Sequence, residues 1–231
     1  MQVLISLTFL LSVAVGPPFK PRQLSPFDAR KAEQLLRARY PCLGCHELNG
    51  IGGKIGPSLT DIAGRRSADY VYAMIDDPQS TVPGSAMPRV PMDLKTRELI
   101  ANALLRVRGA STISSPGPPA PPRPPPATGG DAAALYGRLC AACHGTTGGG
   151  DGFNAAFLPV RPAVHASALA MSARSDDALF DTIFAGGYVM NRSNFMPPYG
   201  STLTRDQIRS LVGYIRALCH CEGPAWSRDN R

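Results

Sequence analysis

The sequence predicts an all-α chain of two small helical domains joined by a proline-rich linker. One ordered set of elements occurs twice: a helix, a C-x-x-C-H segment, a glycine-rich loop, a second helix, a methionine–proline loop and a last helix. Between the copies, eight of the eleven residues from Pro116 to Pro126 are proline. Runs of β-branched residues that would argue for strands are few.

Residues 1–16 hold an apolar stretch from Val3 to Val15, too short to span a bilayer and suited to the core of a secretory signal. No Lys or Arg precedes Lys20, so the expectation is either a signal cleaved after Ala14 or a retained segment giving membrane association through the N-terminus. The first domain, residues 22–110, opens with a helix from Ser25-Pro26 to about Arg39, which ends at CLGCH and the loop NGIGGKIGPSL. A second helix starts near Ser67, the loop PGSAMPRVPM follows, and the last helix carries Leu99, Ile100, Ala103, Leu104 and Val107 at helical spacing. Residues 111–130 are the linker, a polyproline II spacer of about 3.1 Å per residue.

The second domain, residues 131–221, repeats the order with a helix from Asp131, then CAACH and GTTGGGDG. Ser175 is placed to cap SDDALFDTIFAGG, with acids in the first turn and Gly186 near its stop. After SNFMPPYGS, Thr204 and Gln207 form a capping-box pattern ahead of Ile208, Leu211, Val212, Ile215 and Leu218. Residues 222–231 are a C-terminal tail holding the single Trp, Trp226.

Composition narrows the function classes. With 44% apolar and 18% charged residues over 231 positions the chain must fold around a core, yet aromatics are only 7%. Glycine does not recur every third residue, which excludes collagen, and no run approaches the apolar length of a membrane span. The net charge of +7 comes mainly from Arg, but residues 22–110 carry 13 basic and 9 acidic side chains and residues 131–231 carry 9 and 8. No basic run exists, so nucleic acid is not an expected partner.

The chemistry lies in Cys42, Cys45 and His46, and again in Cys140, Cys143 and His144. This spacing brings two thiols and an imidazole over one edge of a flat macrocycle, so the thiols can form thioethers while the imidazole ligates iron. Two occurrences at equivalent places predict two covalently bound haem c groups. Zinc would leave a His after each pair unexplained, and the pairs are separated by a stiff spacer. A thioredoxin-like motif would need strands alternating with helices.

On CLGCH, GPSL, AMP, CAACH and MPP the chain resembles the class I cytochrome c family, present twice, over about residues 25–110 and 130–220. The resemblance implies that His46 and His144 are proximal iron ligands. It also implies that the Pro57 carbonyl accepts the imidazole proton of His46; for His144 the counterpart is Pro159 or Pro162, with Pro162 preferred. The sixth ligands it implies are Met87, with Met92 as the competitor, and Met196, with Met190 as the competitor. A porphyrin would also serve as a large apolar core element, which suits an aromatic-poor chain.

Other residues have open readings. Met74 reads as core packing and Met171 as part of a polar, small-residue loop. His165 reads as a solvent-facing or hydrogen-bonded loop residue, with ligation of the second iron as the rival. Arg65 and Arg66 are either haem-propionate partners or solvated surface. Cys219 and Cys221 could form a mutual disulfide, a bridge to a partner or, with His220, a metal site. The expected function is a di-haem cytochrome passing single electrons in a bacterial respiratory chain, as a soluble carrier or a subunit of a membrane complex. Its partners would be a membrane-bound redox complex and an electron acceptor, at the periplasm or the outer face of the cytoplasmic membrane. A weaker resemblance to cytochrome subunits of respiratory assemblies adds a partner subunit at the C-terminal tail. The rival is a di-haem enzyme such as a thiosulfate dehydrogenase or a peroxidase, which needs an open or exchangeable iron position.

Overall fold

The computed structural model describes residues 18–106 and 131–227. The signal or anchor segment 1–16, the proline-rich linker, Val107 and the end of the tail lie outside the described residues. Among these residues, no helix is long and apolar enough to cross a membrane.

Helix α1, Pro26–Gln34, starts where Ser25 turns its hydroxyl onto the Asp28 N–H at 3.0 Å, satisfying a backbone donor that the first turn cannot. Proline at its first position has no N–H to satisfy, and Asp28 lies at the positive end of the helix dipole. The helix widens into a π-type turn, Leu35–Arg39, closed by a 2.9 Å bond from the Tyr40 N–H to the Leu35 carbonyl. A single turn, α2 (Cys42–Cys45), follows, and then a small hairpin of β1 (Glu47–Leu48) and β2 (Ile51–Gly52). Asn49-Gly50 makes its turn with φ of 52° and 80°, the pairing that a two-residue hairpin requires.

Side-chain caps also open α3 (Ala68–Asp76), α4 (Pro78–Thr81) and α5 (Leu94–Leu104), supplied by Ser67, Asp77 and Asp93. Helix α5 packs against both α1 and α3. Leu36, Tyr40 and Ile100 form one core on one side of it, and Ile62, Val71 and Leu105 another.

After the proline-rich stretch come α6 (Ala132–Leu139), α7 (Ala141–His144), α8 (Ala168–Ser172), α9 (Asp176–Ala185) and α10 (Arg205–Cys219). Ser175 caps α9, and Gly186, at φ 81°, ends it. Thr204 and Gln207 complete the reciprocal capping box of α10. The α10 stripe of Ile208, Leu211, Val212 and Ile215 is buried against Leu135, Tyr136, Leu179 and Ile183. Burial of each such Leu or Ile contributes about 1.5–3 kcal/mol.

Met171 departs from the expected loop position. It sits on α8 at 0% exposure, because the Ser167 cap starts a helical turn whose inward position it fills. Arg216 gathers the end of α10 by donating to Asp176 at 2.8 Å and to the carbonyls of Met171 and Arg174 at 2.8 and 2.5 Å. Cys219 and Cys221 are joined in a disulfide with a Cα–Cα distance of 5.1 Å, His220 between them adopting a left-handed conformation at φ 46°.

Two substitutions within one turn of α10 test this packing by urea denaturation. Leu211→Ala, at a buried site, is expected to cost about 2–5 kcal/mol. Gly213 is exposed, and a methyl group there would meet nothing within 4 Å. Gly213→Ala is therefore expected to stabilise the chain by about 1 kcal/mol.

Candidate haem-attachment sites

The first site grows out of the π-type turn. Pro41 breaks the helix, α2 places Cys42 and Cys45 one turn apart, and the His46 N–H bonds back to the Cys42 carbonyl at 2.9 Å. His46 leaves the turn with extended backbone, and its Nδ1 donates to the Pro57 carbonyl at 2.7 Å. Gly56 is required for this arrangement, since a Cβ there would overlap the imidazole ring. The Glu47 carboxylate ties the hairpin to the following loop, accepting from the Gly50 N–H and from the hydroxyls of Ser58 and Thr60. Those bonds, the Ser58 one foremost, hold its carboxyl below the usual range. Arg65 donates to the carbonyls of Ser58 and Thr60, and Arg66 lies over the Tyr70 ring at 5.4 Å.

The second site has the same local logic on a longer loop. Cys140 caps α7, and the His144 N–H bonds to the Cys140 carbonyl at 2.9 Å. His144 Nδ1 donates to the carbonyl of Ala163 at 2.9 Å. This corrects the expectation of Pro162. Successive carbonyls of an extended segment point opposite ways, and that of Pro162 faces Gly150, 3.0 Å from where a Cβ would stand. The acceptor lies 19 residues after His144, against 11 after His46, so the loop after CAACH cannot be read in the register of the first. Gly145, Gly148 and Gly150, with φ of 73–79°, let that loop fold back over the histidine.

His165 is buried within the second site. Its ring stacks on that of His144 with centroids 4.0 Å apart and planes 12° from parallel, and its Nδ1 is hydrogen-bonded to the Tyr136 hydroxyl at 3.0 Å. Burial first, then His144 and Arg174, push its pKa down to about 3.

Both ligand candidates His46 and His144 have pKa values lowered by burial, an effect opposed by the carbonyls that accept their Nδ1 protons. Each is thus a neutral ring with Nε2 free to donate a lone pair. The four motif thiols are free. Burial pushes Cys42 up to about 11 and Cys140 to about 12; Cys45 reaches about 12 through burial and then the nearby Cys143 and Cys42. Cys143 is raised by burial and held back by the Asn154 amide. Thiols held protonated are not poised as free nucleophiles. Among the described residues, no group of three or more His, Cys, Asp or Glu is placed to hold a metal ion. One neutral imidazole beside two thiols fits a macrocycle that brings its own iron donors and takes covalent attachment from the sulfurs.

The methionine loops are held by their backbones. The Met87 carbonyl accepts from the Gln79 amide, its N–H bonds to the Ser85 hydroxyl at 3.2 Å, and Pro88 is buried. Met92, by contrast, packs on the Leu36, Tyr40 and Ile100 core. Met196 lies against the second core, its carbonyl accepting from the Gly187 N–H at 3.0 Å. Gly187 leaves room for it, since a Cβ there would stand 3.0 Å from that of Met196.

Asn154, which nothing in the sequence marked, joins the two attachment segments. It is 0% exposed; its Nδ2 donates to the Gly44 carbonyl at 2.9 Å and the Cys143 sulfur at 3.3 Å, and its Oδ1 accepts from the Lys54 N–H at 2.7 Å. Asn194 donates to the carbonyl of Arg37 at 3.1 Å, and the Arg39 guanidinium lies over the Tyr188 ring at 4.0 Å.

Replacing Gly56 by Ala is expected to drive the His46 ring off the Pro57 carbonyl. The imidazole nitrogen resonances of His46 then shift in NMR spectra while those of His144 stay in place. No curated protein and no solved structure matches the chain. Residues 127–215 match the family model described as Cytochrome C oxidase, cbb3-type, subunit III, a segment that contains Cys140, Cys143, His144 and Met196. That match supports a c-type cytochrome, with covalently bound haem c and an electron-transfer role.

Proposed function

We propose that the chain is a di-haem c-type cytochrome built from two tandem class I domains, residues 22–110 and 131–221, joined by the proline-rich linker. It passes single electrons in a bacterial respiratory chain as a soluble carrier or as a subunit of a membrane complex. The observation that carries this reading is the repeated histidine geometry. Both C-x-x-C-H turns present a neutral imidazole whose Nδ1 proton rests on a backbone carbonyl, 2.7 Å away at Pro57 and 2.9 Å at Ala163. When bound, haem supplies an iron that gains or loses one electron without breaking a bond.

The chain's own residues do the remainder. Cys42, Cys45, Cys140 and Cys143 would anchor the ring covalently, and His46 and His144 would offer Nε2 to its iron. Met87 and Met196 would each offer a thioether to the iron from a loop stiffened by proline. Donors held in place in both oxidation states would keep rearrangement on reduction small, which favours rapid transfer. An exchangeable position, as in a thiosulfate dehydrogenase or a peroxidase, is less well supported. His165, the rival second-site donor, stacks on His144 itself and is bonded to Tyr136.

The match to a cbb3-type oxidase subunit favours a membrane-bound redox complex as partner, together with an electron acceptor, at the periplasm or the outer face of the cytoplasmic membrane. Trp226, 74% exposed in the tail, is the group we assign to docking on a partner subunit. Membrane association through the N-terminal segment belongs to the same proposal.

The reduced pyridine adduct of the holoprotein is expected to report two haems per chain. Cys42→Ala with Cys45→Ala removes one, and Cys140→Ala with Cys143→Ala removes the other. Met87→Ala and Met196→Ala are each expected to halve the weak red sulfur-to-iron band. Carbon monoxide binding at one ferrous haem of the unmodified protein would instead place the chain among the enzymes.

A further inference from the structure

We infer that Asn154 is a bridging residue that locks the two attachment turns against each other and sets the electronic coupling between the haems they carry. The chain would then relay electrons internally rather than act as two separate carriers. This rests on the two-haem reading above.

A fully buried side-chain amide costs free energy unless its donors and its acceptor are satisfied. Asn154 satisfies them across the junction. It belongs to the loop after CAACH, where its own backbone N–H bonds to the Ala142 carbonyl at 2.9 Å. Its Oδ1 and Nδ2 reach into the other half of the chain, to Lys54 and to Gly44 between the two cysteines of CLGCH, while the same Nδ2 touches the Cys143 sulfur.

Two glycines make the approach feasible. A Cβ on Gly44 would overlap the Phe195 carbonyl, and one on Gly53 would overlap the Gly44 carbonyl and lie 2.7 Å from Asn154 Oδ1. The path from one attachment sulfur to the other therefore runs from Cys143 through one amide to the Gly44 carbonyl, whose carbon is bonded to the Cys45 nitrogen.

Thioether formation takes the thiol hydrogen from sulfur but leaves lone pairs that still accept from Nδ2. The sulfur would be joined to the ring through one saturated carbon, so the Nδ2 dipole beside it acts through space: its positive end favours the electron-richer, ferrous state, and Asn154 raises the potential of the second site. Transfer between the sites moves one electron, oxidising one ferrous iron as the other ferric iron is reduced. No bond is made or broken and no proton is required.

Three measurements on the holoprotein test this. The unmodified protein is expected to show a bisignate Soret circular dichroism couplet, the signature of two porphyrins held close together, and this needs no variant. In Asn154→Leu, which keeps the branched shape and the number of side-chain heavy atoms while removing every side-chain hydrogen bond, the haem count stays the same. The potential of the second haem falls, and the fast inter-haem phase after flash photoreduction is lost. Gly44→Ala wedges the turns apart from the opposite side and is expected to weaken the couplet. Two haems without a couplet, or an Asn154→Leu protein with unchanged potentials and unchanged inter-haem transfer, would overturn the inference while leaving the proposed function standing. One haem per chain would overturn both.

Discussion

An imidazole on a flexible side chain can carry its proton on either nitrogen and can rotate about two bonds. In this chain a single backbone carbonyl removes both freedoms at each candidate iron ligand, Pro57 for His46 and Ala163 for His144. Much of the surrounding structure serves to put that carbonyl in place. Around His46 the Asn49-Gly50 hairpin, the Glu47 carboxylate and Arg65 hold the loop, and Gly56 leaves the space that the ring occupies. Around His144 three glycines of positive φ do the equivalent work on a longer excursion. A carbonyl acceptor fixes the tautomer and strengthens the ring as a donor, so local backbone geometry would set the properties of an iron bound there.

Features encoded locally were legible in the sequence. Caps at Ser25, Ser175 and Thr204–Gln207 act within one turn, and the α10 stripe follows helical periodicity, so both could be read from spacing alone. The C-x-x-C-H turns were legible for the same reason. The carbonyl partner of His144 was not, because glycines fix the path of its loop and proline identity misleads about which carbonyl turns inward. Met171 looked like a loop residue because its neighbours are small and polar, yet those neighbours are the cap and outer face of a short helix. Asn154 carried no signal, since a buried amide that bonds across 110 residues has no local pattern.

The aromatic-poor composition has a physical counterpart in the separate cores. Each half of the chain has its own modest apolar cluster, and the first is divided in two. Small cores of this kind gain from a covalent staple. The motif cysteines are partly buried, and burial holds the Cys42, Cys45 and Cys140 thiols in their protonated form, suited to being consumed by attachment rather than kept as reactive groups.

The end of α10 has a consequence of a different kind. Arg216 gathers the Asp176 carboxylate and the carbonyls of Met171 and Arg174, and the Cys219–Cys221 disulfide closes the chain just beyond it. Helix ends ordinarily fray, and fraying exposes buried side chains to proteases and to mechanical load. Here the last core-forming helix is tied off before the tail begins. Pulling on that tail or trimming it would stop at the clamp, leaving intact the helix that packs against α6, α8 and α9.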